Sequence, residues 1–133
     1  MCFLVEPGRF ALVGFEEAPG PEDLALLAPP AQLVREADET SLLVGEAALD
    51  ALLARHPGAR VERGLVWIRF EAAMGWEVVG FLARVTGALA AAGVPIGAVC
   101  GYSRDHLFVA EPYLDRTRAV LLELFPEGRS PSP

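Results

Sequence analysis

GWEVVGFLARVTGALAAAGVPIGAVCGYSRDHLFVA, residues 75–110, is the stretch that decides the fold. Its first part repeats apolar residues at spacings of four, three and four, which is the period of one helix face. These residues are Val78, Leu82, Val85 and Leu89. A helix is therefore predicted within the run from Gly75 to Gly93, with Gly80 at its start and Gly93 as its C-terminal stop.

A hairpin follows this helix. Residues 95–101 and 106–110 are rich in apolar residues and predict two strands, joined by a polar turn at 103–105. Pro112 then opens a last helix, which is expected to run to about Phe125.

The preceding half of the chain shows a similar succession of patterns. Branched and aromatic runs predict strands, apolar residues at helical spacing predict helices, and Pro-Gly pairs mark the turns between them. In chain order we predict a strand at 9–15, a short helix at 21–27, strands at 32–36 and 41–44, a helix at 46–55 and a strand at 59–70. Gly64 is a position where the last strand would divide in two.

Together these elements form two consecutive β-α-β-β-α units, and each unit is most of a ferredoxin-like βαββαβ fold. The predicted class is α+β, with two ferredoxin-like halves built on antiparallel sheets. Each half lacks one edge strand, so we expect the halves to share or exchange strands. The expected division is an N-terminal half at 1–62, a C-terminal half at 63–126 and a flexible tail at 127–133.

Composition limits the function classes. A hydrophobic fraction of 53% with 22% charged residues is typical of a packed globular protein. The net charge of -7 argues against nucleic-acid binding, since the eleven basic residues are scattered singly apart from Arg116 and Arg118. No apolar run is long enough to cross a membrane, and the N-terminus does not resemble a secretion signal. With only Cys2 and Cys100, far apart in sequence, we expect a reduced, cytoplasmic protein.

The titratable residues do not assemble a catalytic or metal centre. His56 and His106 are fifty residues apart, and neither has the spacing of a metal site. Cys100 and His106 could face one another as nucleophile and base, but we expect Cys100 to pack as a core residue on the face of Ile96 and Ala98. The prediction is a protein that is not an enzyme and has no cofactor or metal.

Two positions favour ligand binding. A glycine in the first turn of a helix, here Gly80, lets a ligand approach unpaired backbone N–H groups, where the helix dipole favours a carboxylate. Asp105, with Tyr102 and Ser103 beside it, offers an anionic partner and hydroxyl groups for a cation. Each position also has a structural interpretation, since Gly80 can serve strand-to-helix packing alone and Asp105 can be a turn former.

At this point the residues resemble a known family. The run WEVVGFLARVTGALAAAGVPIGAV at 76–99 and the run GYSRDHLFVAEPYLDRTRAVL at 101–121 resemble the ACT domain. The resemblance is to the small tandem ACT proteins related to the CASTOR arginine sensors, and the stretch DETSLLV at 38–44 is similar to the first half of that family. One departure is His106, where related proteins often have tyrosine or phenylalanine.

The resemblance implies regulatory binding of an amino acid, or a similar small molecule, where a helix N-terminus meets strand ends. The ligand-binding residues that it implies are Val79, Gly80, Phe81, Tyr102, Ser103, Asp105, Thr40 and Ser41. It also implies a homodimer or a partner protein. The alternative is an interaction or dimerisation module with the same fold and no ligand.

Overall fold

The computed structural model describes residues 2–72 and 75–126. The chain forms two compact units that are discontinuous in sequence. The N-unit is Gly8–Leu65, and the C-unit combines the residues up to Pro7 with those from Val66 onward. Within the described ranges, no helix is both long and apolar enough to cross a membrane.

The N-unit alternates strands and short helices. Its elements are β2 (Phe10–Phe15), α1 (Pro21–Leu24), β3 (Gln32–Arg35), β4 (Thr40–Gly45), a 3-10 turn (Glu46–Ala48), α2 (Leu49–Arg55) and the first half of β5 (Arg60–Phe70). The strand order is β3-β4-β2-β5, and each neighbouring pair is antiparallel. The predicted hairpin of the two short strands is confirmed by the pairing of Arg35 with Thr40.

The core of the N-unit follows from strand alternation. Every second residue of β2 points to the same side of the sheet, and those residues meet apolar residues of β4 and α2. The buried cluster consists of Ala11, Val13, Phe15, Leu42, Val44, Leu49 and Leu52.

The C-unit contains the elements predicted from residues 75–125 and a short strand near the N-terminus that was not predicted. Its elements are β1 (Phe3–Val5), the second half of β5, α3 (Phe81–Ala91), β6 (Gly97–Cys100), β7 (Asp105–Ala110), a 3-10 turn (Glu111–Tyr113) and α4 (Leu114–Leu124). The strand order is β1-β5-β7-β6.

β1 and β5 supply an edge strand to each unit. In the N-unit, the first half of β5 pairs with β2, from Arg60 opposite Gly14 to Leu65 opposite Phe10. In the C-unit, β1 pairs with the second half of β5, with Phe3 opposite Phe70. β5 therefore remains one continuous strand through Gly64, where a break had been predicted, although its partner changes along its length. The predicted α+β class with an antiparallel sheet is confirmed.

Two helices cover one face of the C-unit sheet. The buried cluster joins residues of β1, β5 and β7 to α3 and α4, and it consists of Phe3, Val66, Ile68, Phe70, Val85, Leu89, Val94, Leu107, Val109, Leu121 and Phe125. By strand alternation, Trp67, Arg69 and His106 lie on the opposite face.

α3 is shorter than the predicted helical run, and its ends explain why. Gly80 has a φ of 85°, in the left-handed region, so the helix begins only at Phe81. Gly93, with a φ of 72°, ends it as predicted, since its N–H donates to Ala90 O and the Val94 N–H donates to Leu89 O.

The expectation for Cys100 was wrong. Ala98 and Cys100 do share one side of β6, but both are exposed there, because β6 is the last strand of the C-unit sheet. The tail predicted at 127–133 lies outside the described residues.

Candidate functional site

A cleft of about 340 Å³ lies in the C-unit, between the start of α3 and the β6-β7 hairpin. We call it the α3 cleft. The helix side contributes Gly75, Trp76, Val78, Gly80, Phe81, Leu82 and Ala83. The hairpin side contributes Cys100, Gly101, Tyr102, Arg104 and Asp105. This volume is in the range of small-molecule sites in proteins.

The helix side of the cleft presents backbone donors. Within α3 the first hydrogen bond back to the cap runs from Arg84 N to Gly80 O, at 3.0 Å, so the N–H groups of residues 81–83 have no partner inside the helix. Gly80 itself has no side chain with which to cap them. A Cβ placed on Gly80 would meet no atom within 4 Å, so the space next to the helix start is open. Such a helix start attracts an anion.

The hairpin side presents a carboxylate. Gly101 N–H donates to Arg104 O at 2.9 Å and closes the tip, and Cys100 pairs with Asp105 at the ends of the two strands. The Cys100 thiol donates to Asp105 Oδ1 at 3.1 Å. This hydrogen bond, together with partial desolvation and the negative charge of Asp105, raises the pKa of the Cys100 thiol. The thiol is therefore protonated at neutral pH, which is unfavourable for a nucleophile.

Aromatic side chains frame the cleft, and they differ in how firmly they are held. Phe81 packs edge-on against Phe70, with 5.1 Å between ring centroids, and stacks on Phe125 at 6.0 Å. Trp76 and Tyr102, by contrast, are 97% and 104% exposed. The cleft thus has one fixed aromatic wall and two aromatic residues projecting into solvent.

An ion-pair network lies beside the hairpin. Arg69 contacts both Glu6, at 3.1 Å, and Glu71, and Glu71 also contacts Arg104 at 3.5 Å. Arg104, which lines the cleft, is therefore connected through carboxylates to β5.

The structure brings together four of the eight residues that the resemblance implies. Gly80, Phe81, Tyr102 and Asp105 line the α3 cleft. Val79 and Ser103 adjoin these residues in sequence but do not belong to the lining, and Val79 is 95% exposed.

Thr40 and Ser41 belong to the N-unit. Thr40 is buried at the start of β4, and Ser41 lines a shallow depression of about 290 Å³ together with Glu39 and Arg60. Their part in ligand binding stays a prediction.

The sequence patterns did not single out several cleft residues. Trp76 was predicted only as part of the helical run that begins at Gly75. Arg104 was predicted only as a turn residue, and Gly101 only as the last residue of a strand. Cys100 was assigned to the core because alternation gives the side of a strand but not whether that side is covered.

A second polar cluster lies in the N-unit. The Asp23 carboxylate, which is buried, accepts hydrogen bonds from Gly20 N–H at 2.8 Å and from Arg55 Nε at 2.6 Å, and it contacts His56 Nε2 at 2.8 Å. These bonds cap α1 and tie it to the end of α2. A depression of about 180 Å³ adjoins Arg55 and His56. In the described parts of the chain, no three histidine, cysteine or carboxylate side chains are grouped as a metal site would require.

Residues 60–123 match the ACT domain model. The match includes the second part of β5, α3, the β6-β7 hairpin and nearly all of α4. Every residue that lines the α3 cleft therefore lies inside the ACT match. A comparison with curated proteins found no match.

Solved structures share the fold over most of the chain. A protein from Agobacterium tumefaciens superimposes with a TM-score of 0.74 at 19% identity, covering 91% of this chain and 86% of that one. A structure of aspartokinase alpha and beta subunits gives 0.71 at 15% identity, covering 95% and 98%. The regulatory subunit of aspartate kinase from Thermus thermophilus, in a ligand-free form, gives 0.66 at 12% identity, covering 94% and 98%.

At these identities the structural likeness establishes the fold and not the activity. Residues 60–123 are therefore similar to an ACT domain, and the fold of the chain resembles that of the regulatory subunit of aspartate kinase. A relation to the CASTOR arginine sensors is not shown by these comparisons.

Proposed function

We propose that this chain is a non-catalytic regulatory ACT protein that binds an amino acid, or a similar small molecule, in the α3 cleft. One observation carries the proposal: the open start of α3 at Gly80 and the carboxylate of Asp105 line the same cleft. A zwitterion needs an anion-binding and a cation-binding group a few ångströms apart, and the cleft offers both chemistries.

The two sides of the cleft suit the two charges of an amino acid. The N–H groups of residues 81–83 would receive the ligand carboxylate, since they lack partners within the helix and lie at its positive end. Asp105 would receive an ammonium or guanidinium group in a charge-assisted hydrogen bond. Phe81, held by its ring contacts, would supply apolar contact to the aliphatic part of the ligand.

We extend the proposal to the organisation of the protein. In this proposal the chain is two ferredoxin-like halves, approximately 1–62 and 63–126, and the strand orders β3-β4-β2-β5 and β1-β5-β7-β6, with β5 common to both, support it. A kinship with the tandem ACT proteins of the CASTOR group, a homodimeric state and a cytoplasmic location belong to this proposal. Val79, Ser103, Thr40 and Ser41 are kept as ligand-binding candidates on the strength of the resemblance alone.

The direct test is a thermal-shift screen of the protein against the twenty amino acids. A ligand at 100 times its dissociation constant stabilises the native state by about 2.7 kcal/mol, which corresponds to a rise in Tm of about 8 °C for a chain of this size. If no amino acid raises Tm at millimolar concentration, the amino-acid proposal is wrong.

The site is tested by Asp105→Asn, measured by calorimetric titration with the amino acid that gives the largest shift. Loss of one charge-assisted hydrogen bond should weaken binding by about 2 kcal/mol, or about 30-fold. Asp38→Asn is the matched control, since Asp38 is an exposed aspartate near the tip of the β3-β4 hairpin and its substitution changes the net charge equally. Equal affinity losses in the two variants would contradict this placement of the ligand.

A second candidate function rests on exposed apolar surface. Trp76, Val79 and Tyr102 are nearly fully exposed next to the cleft, and such residues often mark an interaction surface. In that case the chain is an ACT-like interaction module without a ligand. It would give no thermal shift with any amino acid, while Trp76→Ala and Tyr102→Ala would weaken a constant partner's binding.

A further inference from the structure

His106 occupies a position behind the cleft wall rather than in the cleft. It lies on β7, on the sheet face opposite the α3-α4 core, and is half-buried. Its Nδ1 accepts a hydrogen bond from Trp67 Nε1–H at 3.1 Å, and the two rings meet edge to face with 5.7 Å between centroids. Trp67 is itself buried, at 3% exposure, so it provides a fixed anchor for the imidazole.

This hydrogen bond defines the protonation state of the ring. The indole Nε1–H can only donate, so Nδ1 of His106 has to be unprotonated, and the neutral ring carries its proton on Nε2. A second proton on Nδ1 would place two donors against each other at 3.1 Å. A protonated His106 ring therefore cannot stay at this distance from the Trp67 indole N–H.

The charged groups around His106 also disfavour the imidazolium. Burial lowers the pKa of His106 below 6.5, and the positive charges of Arg104 and Arg69 lower it further. Asp105 and Glu71 act in the opposite direction, but the net direction is downward. Glu6 pairs with Arg69 on the same face, and Cys100 pairs with Asp105 on the neighbouring strand.

The other edge of the imidazole lies against the hairpin tip. A Cβ built on Gly101 would lie 3.3 Å from His106 Nε2 and 3.3 Å from the carbonyl oxygen of Arg104, so only a glycine fits over the ring without displacement. Gly101 precedes Tyr102 and is hydrogen-bonded to Arg104, and all three residues line the α3 cleft. A movement of the His106 ring therefore reaches the cleft wall through Gly101.

We propose that His106 is a positioning residue that holds the 101–104 tip in place through its hydrogen bond to Trp67, and that protonation of its ring displaces this wall of the α3 cleft. The coupling between the His106 ring and the 101–104 tip does not require a ligand. Only the effect of this coupling on ligand binding rests on the proposed function. The site would be formed at neutral pH and altered under acidic conditions.

The test uses the full-length free protein and NMR spectra recorded between pH 4.5 and 8, a range that spans the ordinary pKa of histidine. The probes are the Trp67 indole N–H and the backbone amides of Gly101 and Tyr102. The expected result is that all three resonances shift with one common midpoint below 6.5. Trp76→Phe serves only to assign the Trp67 indole signal, since the chain has two tryptophans.

His106→Asn is the decisive variant, because an asparagine side-chain oxygen accepts the indole N–H but does not titrate. We expect it to keep the Trp67 signal and to abolish the titration of Gly101 and Tyr102. The matched control is His56→Asn in the N-unit, which replaces the only other histidine and should leave the titration unchanged. If His106→Asn does not fold, Trp67→Phe replaces it, since removal of the indole donor should shrink the acid-induced shifts of Gly101 and Tyr102.

Two results would overturn the inference. One is a Trp67 signal that titrates while Gly101 and Tyr102 stay constant, which would show that the ring is not coupled to the tip. The other is an unchanged titration of the tip in His106→Asn or Trp67→Phe, which would assign it to another group. Neither result depends on whether an amino acid binds.

Discussion

The buried side chain of Asp23 is expected to contribute to the stability of the N-unit. Its buried carboxylate accepts from Gly20 N–H and Arg55 and contacts His56. Asp23→Asn replaces one of these oxygens with a donor, so we expect a loss of about 2 to 3 kcal/mol in unfolding free energy, measured by urea denaturation. Glu22→Gln is the control, because the exposed Glu22 to Arg55 pair is worth at most about 0.5 kcal/mol.

The same residue makes a pH-dependent contribution. The hydrogen bond with His56 is the largest cause that lowers the pKa of Asp23 from 3.8 to about 2. A carboxyl group with a lowered pKa stabilises the fold fully above its unfolded value, and this stability is lost as the pH falls from about 4 towards 2. Asp23→Asn should therefore lose less stability than the native protein across that interval. A parallel pH dependence of the two proteins would exclude Asp23 as its source.

At the residue scale, the sequence indicated which residues could have a special role, but not what surrounds them in the fold. Gly80 and Asp105 were predicted as ligand-binding residues although each also has a structural interpretation; both line the α3 cleft, and their part in binding stays a prediction. Cys100 was misplaced, because strand alternation says which residues share a side but not whether a neighbouring element covers that side. Trp67 was identified only as a strand residue, since its partner His106 is thirty-nine positions away in sequence.

At the scale of elements, the left-handed Gly80 determines where α3 begins. An alanine at a φ of 85° is strained by about 1 to 2 kcal/mol, so Gly80→Ala should lower the unfolding free energy by about that amount. Gly87 is the matched control, since it lies inside the same helix with a negative φ. Gly87→Ala should stabilise by about 0.5 to 1 kcal/mol. Neither added Cβ would meet an atom within 4 Å, so urea denaturation of the two variants compares backbone conformation alone.

Most elements could be predicted because they carry a clear period and a turn residue at each end. The β6-β7 hairpin and α4 appeared near their predicted places. β1 was missed because three residues, Phe3–Val5, are too few to show alternation. The start of α3 was placed too early because Val78 fits the helical period, although the left-handed Gly80 separates it from the helix.

At the scale of the whole molecule, the C-unit depends on a strand that is distant in sequence. Phe3 is 4% exposed in the core cluster formed mainly by residues 66–125. Phe3→Ala should therefore cost about 3 to 5 kcal/mol of unfolding free energy in urea denaturation. Leu122→Ala is the control, because Leu122 is 44% exposed on α4 and its truncation should cost less than about 0.5 kcal/mol. Similar losses in both variants would mean that β1 does not contribute to this core.

The pairing of β1 with the second half of β5 also has a consequence for biosynthesis. The ribosome completes residues 8–65 before the partners of β1 have been translated, so the N-unit can close while Phe3–Val5 waits unpaired. The early strand can pair only after residues 68–70 emerge, across more than sixty intervening residues. During translation, this short apolar segment therefore stays exposed for longer than the strands of the N-unit, whose partners are all made earlier.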